Sequence, residues 1–187
     1  MAPSASNAYV KLDQINQPGP TNAAPVAVPA GQSFVAGITG QFVEFWYMGW
    51  STSADPINFE IRDGAGPGGK VLGSGAVNAA FEAFTGNLSF SWKSVDVSSA
   101  NVNLVAGNSY TFLTTSPTTW YVNTGGGYAN GNYYDTGHTN CAVNASSPGN
   151  CDMNFQTYVD QVPVPGSLAA LGGALGLLGL LRLRRKG

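Results

Sequence analysis

The sequence predicts an all-β protein, an antiparallel β-sandwich of jelly-roll type, followed by a single C-terminal hydrophobic helix. Three observations carry that reading. Only 10% of residues are charged, while the chain holds 25 glycines and 11 prolines, a composition poor in helix formers and rich in turn residues. Short apolar runs of strand character recur between Gln32 and Val159 with turn residues between them. Before residue 163 no segment carries the periodicity of an amphipathic helix. The 187 residues suit one domain and a tail: an extended lead-in over 1–30, a sandwich over 31–161 and a C-terminal segment over 162–187.

The lead-in begins MAPSASNAYVKL, without the basic and apolar regions of a secretory signal. Ser6 and Ala8 nevertheless stand where a signal peptidase reads small residues, so the stretch reads either as the remnant of a cleavage region or as a flexible polar terminus. QPGPTNAAPVAVPA, from Gln17 to Ala30, has four prolines and reads as extended chain.

About eight strands follow. QSFVAG is the first. QFVEFWYMGW is apolar on both phases, which suits a central strand covered on both faces. INFEIR alternates, with Ile57, Phe59 and Ile61 on one face and Asn58, Glu60 and Arg62 on the other. DGAGPGG then forms a hairpin connection whose glycines permit positive φ, and KVLGSGAV resumes the extended chain. NLSFSW places Leu88, Phe90 and Trp92 on one face, and SVDVS places Val95 and Val97 on its own. The apolar phase slips between Trp92 and Val95, which predicts a bulge or strand break there. NVNLVAGNSYTFLTT holds two short strands around AGN. In MNFQTYV the residues Met153, Phe155, Thr157 and Val159 share a face.

Charge excludes one class of partner. Four of the eight basic residues, Arg182, Arg184, Arg185 and Lys186, lie in the last six positions. The body before Val162 sets four cations against ten acids and carries a net −6. Nucleic acid requires clustered Lys and Arg, so no nucleic-acid partner is expected.

No catalytic residue, cofactor or metal ligand stands out. The single histidine, His138, lies in YYDTGHTNCAVN without a nucleophile motif and reads as a solvated loop residue. Cys141 and Cys151 are the only cysteines. Bracketing an Asn/Ser/Pro loop, they read as a disulfide, stabilising by about 3 kcal/mol through loop closure. The rival is a metal site from His138, Cys141, Cys151 and Asp152. Asp55 and Asp63 are the first suspects if DGAGPGG binds calcium, but the loop lacks the repeated acids of a calcium site. WYVNTGGGYANGNYY gathers Trp120, Tyr121, Tyr128, Tyr133 and Tyr134. Such rings either cover an open edge of the sandwich or stand exposed as contacts for a glycan.

The tail is the most specific segment. Leu168 to Leu181 is LAALGGALGLLGLL, fourteen residues without a polar side chain. As a helix they cover about 21 Å, short of the roughly 30 Å hydrocarbon core. RLRRK then stops translocation and stays cytoplasmic under the positive-inside rule. A Pro motif, a modest apolar helix and a terminal Arg cluster together resemble the PEP-CTERM sorting signal of Gram-negative bacteria. The resemblance covers Val162 to Gly187, with Val162-Pro163-Val164-Pro165 where the usual motif is Val-Pro-Glu-Pro. It implies recognition by an exosortase-type processing enzyme, membrane insertion through the C-terminal helix during export, and delivery to the cell surface or outside; the alternative for the same segment is a plain membrane anchor, which gives no reason for the paired prolines. QSFVAG, IRDGAGPGGKVL and VDVSSANVNLVAGNSYTF also resemble a β-sandwich module of bacterial surface and exported proteins. That likeness implies fold and extracellular setting, with no catalytic residue. The sequence thus predicts an exported, non-enzymatic surface or biofilm-matrix protein; the alternative is a carbohydrate-binding module that recognises exopolysaccharide through the loop aromatics.

Overall fold

The structure, a computed structural model, describes residues 9–17, 22–25, 28–50, 55–83, 90–116, 119–123, 127–136 and 151–161. The expectations for residues 1–8, for Leu88, for His138 and Cys141, and for the Pro motif, apolar helix and basic cluster of 162–187 fall outside the described residues.

Every regular element among the described residues is a strand, apart from a 3-10 turn at Ser98–Ala100. The strands are β1 (Tyr9–Asn16), β2 (Asn22–Pro25), β3 (Ala30–Val35), β4 (Gly40–Trp50), β5 (Asp55–Asp63), β6 (Val71–Ala83), β7 (Phe90–Asp96), β8 (Asn103–Leu104), β9 (Ser109–Thr114), β10 (Thr119–Asn123), β11 (Tyr133–Tyr134), β12 (Asp152–Met153) and β13 (Phe155–Gln161). Their hydrogen-bonded order is β1-β13-β4-β7-β6-β5-β9-β3-β11, with β2, β8, β10 and β12 attached beside that path. The fold is all-β and sandwich-like.

One strand belongs to both layers. The first part of β6, Val71 to Ala79, pairs antiparallel with β5, and its last residues, Ala80 to Ala83, pair with β7. The strand order therefore turns a corner within β6. A first sheet, β1-β13-β4-β7, lies on one side and a second, β5-β9-β3-β11, on the other. Aromatic contacts show that the two face each other. Phe45 of β4 stacks on Phe112 of β9 with ring centroids 4.0 Å apart and planes 7° from parallel. Phe34 of β3 meets Phe42 of β4 at 5.6 Å and Phe155 of β13 at 6.5 Å. Burying each of these rings contributes about 1.5–3 kcal/mol.

The alternation of INFEIR translates directly: Ile57, Phe59 and Ile61 are in the core, and Asn58 is exposed. Phe155, Thr157 and Val159 likewise all point inward from β13. In β4 the phase changes instead. Phe42, Phe45 and Tyr47 all join the core, although Phe42 and Phe45 are an odd number apart. Tyr158 pairs with Glu44 and Val159 with Phe42, so β4 carries one extra residue, Val43. That bulge switches the inward side and lets both phenylalanines reach the core.

Where a break was expected in β7, none occurs. Its register with β4 runs without a shift from Asp96 to Phe90. The phase slip has another cause: Val95 joins the main core, whereas Trp92 packs with Met48 and Tyr121 in a second apolar cluster. The chain is regular, and both of its faces carry apolar residues.

Two further findings extend the sequence reading. Part of the 1–30 lead-in is a strand, since β1 pairs with β13 at the margin of the first sheet. Its burial follows no clean alternation, which is why periodicity did not mark it. The DGAGPGG segment is the β5–β6 connection, with Gly64 at φ 78° and Gly66 at φ 110°, the left-handed region that glycine enters without strain. Arg62 Nη1 donates to the carbonyls of Pro67 and Gly69, and Thr111 Oγ1 both accepts from Gly66 N and donates to Gly64 O.

Close approach between strands makes a sharp demand at Gly31 of β3. A Cβ there would overlap the Phe112 carbonyl oxygen and crowd Leu113 of β9. We expect Gly31→Ala to destabilise the domain by about 1–3 kcal/mol, read as a shift of the denaturation midpoint at unchanged m-value.

Candidate functional site

The loop aromatics are mostly inside. Trp120 is 0% exposed, Tyr133 2%, Tyr121 7% and Tyr128 9%; Tyr134 is half-buried. Trp120 sits on β10, whose apolar residues on both phases serve two layers: Trp120 and Val122 enter the main core, and Tyr121 enters the second cluster. Trp120 lies 5.6 Å from Tyr47 and 6.3 Å from Tyr133, ring to ring. Tyr128 stands edge-on to Phe155 at 5.0 Å. Tyr134 lies beside Gly66 of the β5–β6 connection. An exposed platform was the premise for glycan contact through these rings, and four of the five do not provide it.

What holds this end of the sandwich is a buried polar network centred on Asp152. Its carboxylate accepts from Gln32 Nε2 at 3.0 Å, Tyr128 N at 3.0 Å and Gly127 N at 3.2 Å. Gln32 Oε1 in turn accepts from Met153 N at 2.8 Å, and the Asn16 amide donates to Met153 O at 2.7 Å. Tyr128 Oη donates to Gln14 Oε1 at 2.9 Å. Asp152, Gln32 and Asn16 are all buried, so each must be bonded to be tolerated. The network ties β1, β3, β12 and the 127–134 loop together. A buried carboxylate that accepts from two backbone N–H groups and a side-chain amide acts as a structural anchor.

Burial governs the ionisable groups near it. Tyr128 is pushed up to about 12, chiefly by burial. Burial, helped by the hydrogen bond to Asp135, also raises Tyr133 well above the ordinary phenol value. Asp13 of β1 is raised by burial as well; its carboxylate accepts from Gly37 N at 2.9 Å and from the Thr157 hydroxyl at 3.4 Å.

The outward side of the first sheet presents a different set of groups. Trp46 of β4 is half-buried, 5.8 Å from the ring of Tyr158 of β13 with planes 48° apart. Trp46 Nε1 donates to Glu44 Oε2 at 2.7 Å, and Tyr158 Oη donates to Gln156 Oε1 at 2.6 Å. Register places Glu44 directly opposite Asp96 of β7. Met48, Trp92 and Tyr121 continue this surface inward as a buried cluster. The signal for it was present in QFVEFWYMGW: the second apolar phase read as mere burial includes Trp46, which keeps contact with solvent.

Of the other candidates, Cys151 is buried, and no free cysteine occurs among the described residues. Asp63 is exposed at the end of β5. Among the described residues no group of three or more His, Cys, Asp or Glu side chains is placed to hold a metal, and no helix is long and apolar enough to cross a membrane. No family model and no curated protein matches the sequence.

The raised tyrosines make alkaline stability a readable quantity. Below pH 10 neither folded nor unfolded chain ionises them. Above it the unfolded chain releases the protons while the fold retains them, so stability falls across pH 10 to about 12. Phenolate absorbance should show at least two tyrosines that ionise only as the fold is lost, and Tyr128→Phe should remove part of the slope.

Proposed function

We propose that this chain is an exported, non-enzymatic cell-surface or extracellular-matrix protein of a Gram-negative bacterium, delivered by a C-terminal sorting signal. The observation that carries the reading is the layout of the tail: Val162-Pro163-Val164-Pro165, fourteen apolar residues from Leu168, then Arg182, Arg184, Arg185 and Lys186. The compact unit Val10–Gln161 closes on β13 immediately before Val162. A processing enzyme could therefore separate body from tail without cutting any strand of the sandwich.

Each part of the tail has its own physical task. Fourteen apolar residues reach only about two-thirds of the way across a hydrocarbon core, which suits a transient hold on the membrane. The four cations are costly to translocate and set orientation. Paired prolines fix φ and keep the residues before them out of the helix, presenting an extended substrate to an exosortase-type enzyme.

The body is suited to that destination. Taking β1, β3, β4, β5, β6, β7, β9 and β13 as strands one to eight, one sheet runs one-eight-three-six and the other two-seven-four-five. We read this order as a jelly roll, two Greek keys wound together. Cys151 pairs with Cys141 in this reading, closing the 141–151 loop in an oxidising compartment.

Expression of the chain in an exosortase-bearing Gram-negative host, followed by fractionation and intact-mass measurement, tests all of this. Wild type should appear outside the membrane as a shortened chain carrying an oxidised cysteine pair. Pro163→Ala with Pro165→Ala should accumulate full-length in the membrane fraction. Normal cleavage and release of the proline variant would defeat the reading, and so would a wild-type chain that stays full-length in the membrane.

A further inference from the structure

β1 ends the hydrogen-bonded path of the first sheet. On one side it is held to β13. Lys11 Nζ donates to Gln161 Oε1 at 2.9 Å, Gln14 N to Thr157 Oγ1 at 3.0 Å, and the Asn16 amide to Met153 O at 2.7 Å. The partner numbers fall as β1 advances, so the two strands run antiparallel. On the other side, no strand among the described residues follows it. This edge is also apolar: Val10 is 55% exposed, Ile15 45% and Leu12 44%. An edge strand that adds exposed apolar side chains to its row of main-chain groups is a template for a further strand.

Charge decides which strand that is. β1 carries Lys11 and Asp13, opposite in sign and on one face, since alternate residues of a strand share a face. Laid antiparallel on a second copy about a two-fold axis through Leu12, β1 sets Lys11 of each copy opposite Asp13 of the other. On the opposite face Val10 meets Gln14, and the two Leu12 side chains meet with Cβ atoms about 5 Å apart. Sliding the pair by two residues opposes Lys11 to Lys11 or Asp13 to Asp13, and a parallel in-register pair does both; like charges so placed repel. Sliding it by one leaves Asp13 against Val10 or Leu12. Only the register centred on Leu12 answers both charges. Asp13 is suited to receive a cation. It is half-buried, its partners Gly37 N at 2.9 Å and the Thr157 hydroxyl at 3.4 Å are neutral, and a carboxylate has room for further donors.

We propose that β1 is a homodimerisation edge that joins the first sheets of two copies of this chain into one continuous antiparallel sheet, with Leu12 on the two-fold axis and Lys11 paired to Asp13 on either side of it. Such pairing is isologous, so each contact is made twice. An unrelated apolar strand would cover Val10 and Leu12. A strand that also presents Lys and Asp in matching order is what the second copy supplies. One pair of strands makes a small interface, so the dimer is weak and reversible. The inference does not depend on how the chain is exported.

Sedimentation equilibrium of the full chain tests it, in mild detergent so that the apolar tail stays dispersed. Wild type should show a monomer–dimer equilibrium that weakens as salt rises. Lys11→Glu and Asp13→Lys should each weaken it by about tenfold or more, because symmetry places every substitution at both ends of the seam. Mixing those two variants should restore association, since opposite charges face each other again in the mixed pair. Leu12→Lys puts like charges on the axis and should leave a monomer in every mixture. Thermal midpoints separate a lost interface from a lost fold; if Asp13→Lys does not fold, Lys11→Glu and the exposed position of Leu12→Lys decide the matter. A wild type that is monomeric at its highest soluble concentration would overturn the proposal. So would association indifferent to these substitutions, as tail-driven association would be, or no recovery on mixing folded variants.

Discussion

The stack of Phe45 on Phe112 is the contact on which the rest of this structure depends. It joins the middle of one sheet to the middle of the other, and its neighbours extend it on both sides. Phe155 stacks beside Phe45 at 5.9 Å within the first sheet, and Phe59 beside Phe112 at 6.0 Å within the second. A four-ring layer thus runs through the centre of the sandwich. The bulge at Val43 exists in service of that layer, since without it Phe42 and Phe45 would point to opposite sides. The shared strand β6 fixes the sheets at one margin, and the Asp152 network pins loop and strands at one end. Both need the central rings to set the spacing between layers.

Much of this was legible from residues alone, for identifiable reasons. INFEIR and FQTYV alternate because one side of each strand is core, so a period of two is written directly into the chain. DGAGPGG announced its connection because Gly64 and Gly66 must take positive φ. The misreadings have physical causes too. The slip between Trp92 and Val95 looked like a bulge because apolar residues were assumed to serve a single core. Here a second cluster on the outward side claims Trp92. β1 was hidden because a strand at the margin of a sheet, bonded through polar groups such as Asp13 and Gln14, carries no hydrophobic rhythm.

The aromatic residues show the same lesson in sharper form. WYVNTGGGYANGNYY looks like a surface because glycine and asparagine surround its rings. Yet long-range partners draw those rings in: Gln14 holds the Tyr128 hydroxyl, Asp152 holds the Tyr128 amide, and Tyr47 receives Trp120. None of these is near in sequence. Trp46, by contrast, sits in the most hydrophobic strand and retains solvent contact. The reason is that the outward side of the first sheet is only partly covered. Ring content predicted that aromatics matter here; only topology decides which of them meet solvent.

A double-mutant cycle at Phe45 and Phe112 tests the central claim most directly. Phe45→Leu, Phe112→Leu and the double variant would be compared by denaturant unfolding. If the two rings form the inter-sheet contact described, their coupling should be about 0.5–1.5 kcal/mol beyond the cost of each alone. Strict additivity, to within about 0.3 kcal/mol, would mean that the rings do not meet and that the sheets do not face each other across this layer.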